Sequence, residues 1–321
     1  MATSSAAVLV RKRTAGRLRG GDSVARAVTL FFAFLILGVT VLLVFELWQG
    51  SALSRNKFGL GFLAGRAWNP VTDEFGALPF IYGTVVTSVL ALIISVPLSV
   101  GAAVFLSELA PPKISNALTF LVELLAAIPS VILGLIAIFT LVPLMRSTVE
   151  PALKRVFSDS ALFAGPAIGV GYLTAGLILA IMTFPYIISV SREALMAVPR
   201  EQREAALALG ATRWESTWDS VIPFARLGIF GSIFLALARA LGETMAVTMV
   251  IGNDPNIHAS LLAPGYTIAA VIANEFTEAT GKVYLSALVE LGLVLFVLTM
   301  LMNGLAQLLI VVTTRKGSAK A

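Results

Sequence analysis

The sequence predicts an all-α membrane protein that crosses the bilayer six times, and three observations carry that prediction. Of 321 residues, 58% are hydrophobic and only 13% charged, with a mean hydropathy of +0.92; soluble domains are about a quarter charged. Six apolar segments, at 27–47, 80–107, 118–145, 166–191, 225–252 and 284–312, are each long enough to cross roughly 30 Å of hydrocarbon. Lysine and arginine fall unevenly on the two sides these spans define, fifteen with the two tails and seven opposite. That asymmetry puts both termini in the cytoplasm. The plan is a basic tail over 1–24, a membrane domain over 25–313 with a cytoplasmic loop at 199–223, and a short tail over 314–321.

Composition also excludes functions. There is no cysteine, hence no disulfide and no thiolate metal site, and the single histidine, His258, cannot build an imidazole cluster. The net charge of +5 follows from the basic tails, and no aromatic-basic interleaving or groove-reading motif accompanies it. The bilayer is the expected partner, and nucleic acid is not.

The first span follows RKRTAGRLRG and so mimics a signal peptide, but its apolar core exceeds an h-region and no clear small-residue cleavage site follows, which makes it a retained anchor. Phe31, Phe32 and Phe34 in it serve packing. In the following spans backbone amides must bond within their own segment, so helices are the default, and Pro97, Pro129, Pro143 and Pro185 mark kinks or breaks. Glu46, Glu123 and Glu290 lie near span ends, as interfacial carboxylates do. Gly165-Pro-Ala-Ile-Gly169 has the small-xxx-small spacing of close helix packing.

Between the fourth and fifth spans the chain reads SREALMAVPREQREAALALGATRWESTWDSVIPFAR. Pro199 suits the first turn of a helix to about Leu209, and Gly210 its stop. Thr212 and Glu215 offer a capping box to a second short helix with Trp214 and Trp218 on one face. On composition alone, the tryptophans suit lipid headgroups.

The fifth span carries ARALGETMAV, residues 238–247. On a helix starting at Ile229, Arg239 lies about 15 Å in, near mid-bilayer. A charge there costs at least about 2.5–3.5 kcal/mol and must find a partner. At i and i+4, Arg239 and Glu243 share a helix face and can form a structural ion pair. Alternatively, the arginine's planar fork receives two oxygens of a tetrahedral oxyanion such as phosphate. Glu243 then holds Arg239 when the path is empty, or accepts a hydrogen bond from a protonated phosphate oxygen. Weak binding suits a conduit, since a tightly held ion would not leave. Gly242 lets another helix or an ion approach.

Two sets of residues resemble a known family. Glu204-Ala205-Ala206, Gly210 four residues after Ala206, and Pro223 thirteen after that glycine resemble the EAA loop of ABC importer permeases; Ser220 and Ile222 depart from that family's usual isoleucine and leucine. Trp68-Asn69-Pro70, EFGALPFIYGTVVTS (74–88), SVPLSVGAAVFLSELAPP (95–112), ELLAAIPSVILGLIAIFTLVPLMR (123–146) and RALGETMAVTMVIGN (239–253) look like the PstC-type permeases of phosphate ABC importers, from about residue 25 onward. The resemblance implies a type I ABC importer permease fold in a bacterial plasma membrane. It also implies a different sister permease, two copies of an ABC ATPase subunit and an extracytoplasmic phosphate-binding protein. Glu204, Ala205, Ala206, Gly210 and Pro223 would then couple to the ATPase, with Arg239 and Glu243 in the phosphate pathway.

No G-x-x-x-x-G-K-[ST] occurs, so ATP and magnesium are expected in the partner ATPase and no cofactor in this chain. No G-x-S-x-G or H-E-x-x-H appears either, and the chain is expected not to be an enzyme. The alternatives are a permease for another oxyanion, sulfate- or molybdate-like, and a secondary anion transporter, which would need ion-coupling carboxylates and repeat halves.

Overall fold

A computed structural model describes the fold of residues 3–158 and 160–318, and the side chains of 22–158 and 160–308. The basic residues before position 22 and the tail at 314–321 lie outside the described side chains. The chain divides into residues 1–50 and 51–321. The first unit is one helix, α1 (Thr3–Gly50); its stretch Asp22–Gly50 is long and apolar enough to cross a membrane.

The second unit begins with α2 (Ala52–Phe58), α3 (Gly61–Ala64) and a small antiparallel hairpin, β1 (Trp68–Asn69) with β2 (Glu74–Phe75), in which Trp68 faces Phe75. Then come α4 (Leu78–Val104) with a π turn at Phe105–Leu109, α5 (Pro112–Ala126), and a rod of α6 (Ser130–Ile136), α7 (Val142–Leu144) and α8 (Glu150–Val156) joined by π turns. After α9 (Tyr172–Met196) and α10 (Arg200–Ala208), a second rod joins α11 (Arg213–Ser216) to α12 (Ile222–Gly242) through a third such join. The chain finishes with α13 (Met245–Val250), α14 (Ile268–Glu275) and α15 (Lys282–Ser318). Among the described residues six stretches can cross a membrane: Asp22–Gly50, Leu78–Leu109, Ser130–Val156, Tyr172–Met196, Arg213–Gly242 and Lys282–Leu308.

The number of spans is the expected one, but three of the spans shift. The segment expected at 118–145 is cut after Ala127, because Pro129 lacks an amide and holds Ile128 out of the helical region; α5 is a separate helix and the span runs Ser130–Val156. The span expected at 166–191 starts at Tyr172, since Gly165, with φ +100°, and Gly169, with φ +84°, form a loop rather than a packed helix face. The span expected at 225–252 ends at Gly242, and α13 is a separate piece.

Prolines inside the rods are absorbed by a repeated device. The amides of Val142, Glu150 and Ile222 each reach back five residues, to Ala137, Met145 and Thr217, and each immediately precedes a proline: Pro143, Pro151 and Pro223. A wide turn places the missing donor and the ring's clash where the ladder is already open, so the helix continues.

Helix packing follows membrane rules. The faces of α4 and α9 are small and buried, with Thr84, Thr87, Ser88 and Ala91 on one and Ala175, Gly176 and Ala180 on the other. Small side chains let backbones approach where lipid and protein are equally apolar. Gly134 of α6 is the closest such approach that bears on function: a β-carbon there would sit 2.6 Å from the Met249 sulfur and 3.1 Å from the Ala246 α-carbon on α13. At the end opposite α10, the hairpin packs Trp68 against Phe75 and Phe80 at 4.8 Å between ring centres. Glu275 accepts from Trp68 Nε1 at 2.8 Å and from the Tyr284 hydroxyl at 2.6 Å, which closes that aromatic cap.

Two predictions follow from this packing. Gly134→Val should push α13 away from α6 and cost about 1–3 kcal/mol, read as a lower melting temperature of the purified protein; Gly231→Val, where nothing lies within 4 Å of the added carbon, is the control. In the loop after α13, burial raises the Asp254 carboxyl's pKa, but hydrogen bonds from His258 and Asn256 outweigh it and hold the group below its ordinary value. The stabilisation is complete above the unfolded carboxyl's pKa, about 4, and is lost as pH falls through the lower folded value. Protection from hydrogen exchange in 254–265, taken relative to the intrinsic rate at each pH, should therefore fall as pH drops below about 4, and Asp254→Asn should remove that dependence.

Candidate functional site

The first half of the site is the interrupted end of the fifth span. Helix α12 stops at Gly242, and Glu243 has extended backbone, φ −69° and ψ 127°. The ion pair that i, i+4 spacing allows is therefore not formed: the turn that would carry Glu243 back over Arg239 does not exist. Glu243 points forward instead, and its Oε1 accepts from the Ala246 amide at 3.4 Å. A break in helical backbone at membrane depth is tolerated where it is buried in protein or lines a watery cavity. Here α6 braces one side of the broken segment through Gly134, while Gly242 is open, with nothing within 4 Å of where its β-carbon would be.

Arg239 sits half-buried one turn before this break. Its guanidinium lies 4.5 Å from the ring centre of Tyr186 on α9, its Nε is buried without a hydrogen-bond partner, and no carboxylate among the described residues pairs with it. The mid-bilayer depth expected from a span starting at Ile229 does not hold, because the span runs Arg213–Gly242 and Arg239 stands in its last turn; a cation over a ring recovers about 0.5–2 kcal/mol, part of what a half-buried charge loses in hydration. The site is short of a counter-anion. Helix α9 is held against α12 nearby: the Ser232 hydroxyl donates to the Ile229 carbonyl at 2.7 Å, which leaves Ser191 as donor in the 2.8 Å Ser191–Ser232 bond.

The second half is the loop after α9. Helix α10 follows Pro199, and Gly210 adopts φ +91°, which lets the chain reverse without strain. Glu204 and Ala205 are exposed and Ala206 is half-buried. The expected capping box forms, with the Thr212 amide donating to Glu215 at 2.8 Å and the Glu215 amide to Thr212 Oγ1 at 3.3 Å. Trp214 and Trp218 share a face and stack, both exposed, with ring centres 5.9 Å apart. The second short helix is not separate, however: α11 runs into α12, so the loop ends near Thr212 and Pro223 stands inside the span.

Three residues were missed by the sequence reading: Tyr186, Arg203 and Glu108. Arg203, on α10, donates from Nε and NH2 to both oxygens of Glu108 at 3.0 and 2.8 Å, and from NH1 and NH2 to the carbonyls of Val198 and Leu195 at 2.6 and 2.8 Å. The bond to Glu108 holds the guanidinium's pKa above its ordinary value, so it is always charged. The Glu108 side chain is only 9% exposed; removing one partner of a pair this buried costs about 3–5 kcal/mol. No local signal pointed to the pair: Glu108 stands at a span end with Lys113 five residues on, a nearer cation in sequence than Arg203.

Comparisons with known proteins show the family and the fold. Residues 95–310 match the family model described as binding-protein-dependent transport system inner membrane component. The chain is 47% identical, over 92% of each chain, to the phosphate transport system permease protein PstC of Mesorhizobium japonicum, and 35% identical, over 87% of this chain and 90% of the other, to a probable PstC of Methanocaldococcus jannaschii. Among solved structures it resembles a chain of a bacterial ABC transporter involved in import of the acidic polysaccharide alginate, with a TM-score of 0.56 at 17% identity over 87% of this chain and 95% of that one. A chain of the inward-facing MetNI methionine ABC transporter gives 0.50 at 18% identity over 72% and 93%. Those two likenesses show the fold of ABC importer permeases.

The ring contact is testable by itself. Tyr186→Leu should lower stability by about 0.5–2 kcal/mol through loss of the cation–ring attraction, whereas Tyr186→Phe, which keeps the ring, should melt as the parent does.

Proposed function

The chain belongs to the family of binding-protein-dependent transport system inner membrane components, and from that membership we propose that it is a permease subunit carrying inorganic phosphate into the cytoplasm, driven by ATP hydrolysed in a separate subunit. The substrate rests on relatives named for phosphate transport that align over about nine-tenths of this chain. The observation that carries the local reading is Arg239: a half-buried guanidinium fork in an apolar span, beside a helix break, with no carboxylate paired to it among the described residues. A guanidinium presents parallel N–H donors matched to two oxygens of a tetrahedral anion. Glu243, on the far side of the break, supplies nearby negative charge, which keeps the anion's dwell short, or accepts from a protonated phosphate oxygen.

One such subunit supplies half a pathway, so a sister permease completes it on the open side of Gly242. A phosphate-binding protein delivers the ion outside, and two ATPase subunits, which bind ATP and magnesium, engage the exposed face of α10 at Glu204 and Ala205 near the Gly210 turn. Both termini lie in the cytoplasm of a bacterial inner membrane, on the support of the lysine and arginine asymmetry. Hydrolysis must reach the pathway through contacts that differ between the ATPase's states.

The test is uptake by complexes that still assemble. Arg239→Gln should slow phosphate uptake about tenfold or more, the loss of charge-assisted hydrogen bonds, and Glu243→Gln should change it too; unimpaired uptake by both reduces the pair to architecture. Phosphate-stimulated ATP hydrolysis in the reconstituted complex is expected, and uptake that persists without any ATPase subunit would favour a secondary carrier instead.

A further inference from the structure

The guanidinium of Arg203 joins three elements that the chain brings together from far apart: α10, the end of α9, and the π turn that ends the second span. It holds both oxygens of Glu108 and, with its remaining donors, the carbonyls of Leu195, in the last turn of α9, and of Val198, just beyond that helix's end. The same π turn is fastened to α5, since Ser115 Oγ donates to the Leu106 carbonyl at 2.7 Å. On α10 Arg203 faces inward while Glu201, Glu204, Ala205 and Ala208 are exposed. Toward the fifth span α10 is joined by a glycine turn at positive φ and packs against that span's first turns, without, among the described residues, a charged tie like that of Arg203.

We propose that Arg203 is a positioning residue for transport: through Glu108 and the end of α9 it makes α10 and the inner ends of the second and fourth spans move together, so that force applied to the exposed face of α10 reaches the helices. The proposal rests on the importer reading. Its chemical basis is geometric. A bidentate fork fixes orientation as well as distance, and a lysine, with one ammonium, cannot hold the carboxylate and two carbonyls in the same plane. Because α9 also carries Tyr186, the contact of Arg239, the tie gives α10 a direct route to the half-buried cation in the fifth span.

The experiment uses the reconstituted complex and reads two rates, ATP hydrolysis and phosphate uptake. In Glu108→Gln and Arg203→Lys, hydrolysis should persist while phosphate moved per ATP falls about fivefold or more, the lower range of typical coupling. A merely structural role would lower both rates together or neither. Since the chain has no cysteine, the double variant Glu108→Cys, Arg203→Cys can be re-tied with a short bifunctional thiol reagent, and the tie should restore the ratio. An unchanged ratio in assembled variants, or no recovery on re-tying, overturns the proposal. A parent complex without phosphate-stimulated hydrolysis overturns the importer reading and the proposal with it, whereas a coupled parent with equally coupled variants overturns the tie alone.

Discussion

The constraint on which the rest depends is a positive charge in the last turn of an apolar span that no carboxylate among the described residues neutralises. Arg239 has an aromatic ring for company. The ring offsets part of what a half-buried charge loses in hydration, so an anion can still be drawn to it. Nearby features keep it open. The backbone break at Glu243 turns the nearest carboxylate away, Gly134 lets α6 brace the broken segment, and Gly242 leaves the remaining side bare.

The two arginines of the fourth and fifth spans' neighbourhood make an instructive contrast. Arg203 donates to two carboxylate oxygens and two carbonyls; Arg239 has no hydrogen-bonding partner among the described residues. The same side chain is thus hydrogen-bonded through every nitrogen in one place and held only over an aromatic ring in the other. The difference lies in what surrounds each fork, two carbonyls at a helix end and a buried carboxylate for one, an aromatic face and a helix break for the other.

Much of this was legible in the sequence. Spans announce themselves by length and hydropathy, and the capping box at Thr212 and Glu215 and the stop at Gly210 are local rules that the structure obeys. What escaped is whatever local rules leave undecided. Proline says that a helix must adjust but not how: Pro129 cut a span in two, while Pro143, Pro151 and Pro223 were absorbed by wide turns. The Arg239–Glu243 spacing suggested a pair only because the helix was assumed to continue past Gly242. Arg203 and Glu108 stand 95 positions apart, and nothing short of the fold brings them together.

A map of the assembled complex trapped with phosphate tests the central claim most directly. The account predicts tetrahedral density within hydrogen-bonding distance of the Arg239 guanidinium, about 2.7–2.9 Å, beside the break at Glu243. A guanidinium paired in every state with a carboxylate of a neighbouring subunit, with the ion crossing elsewhere, would contradict it.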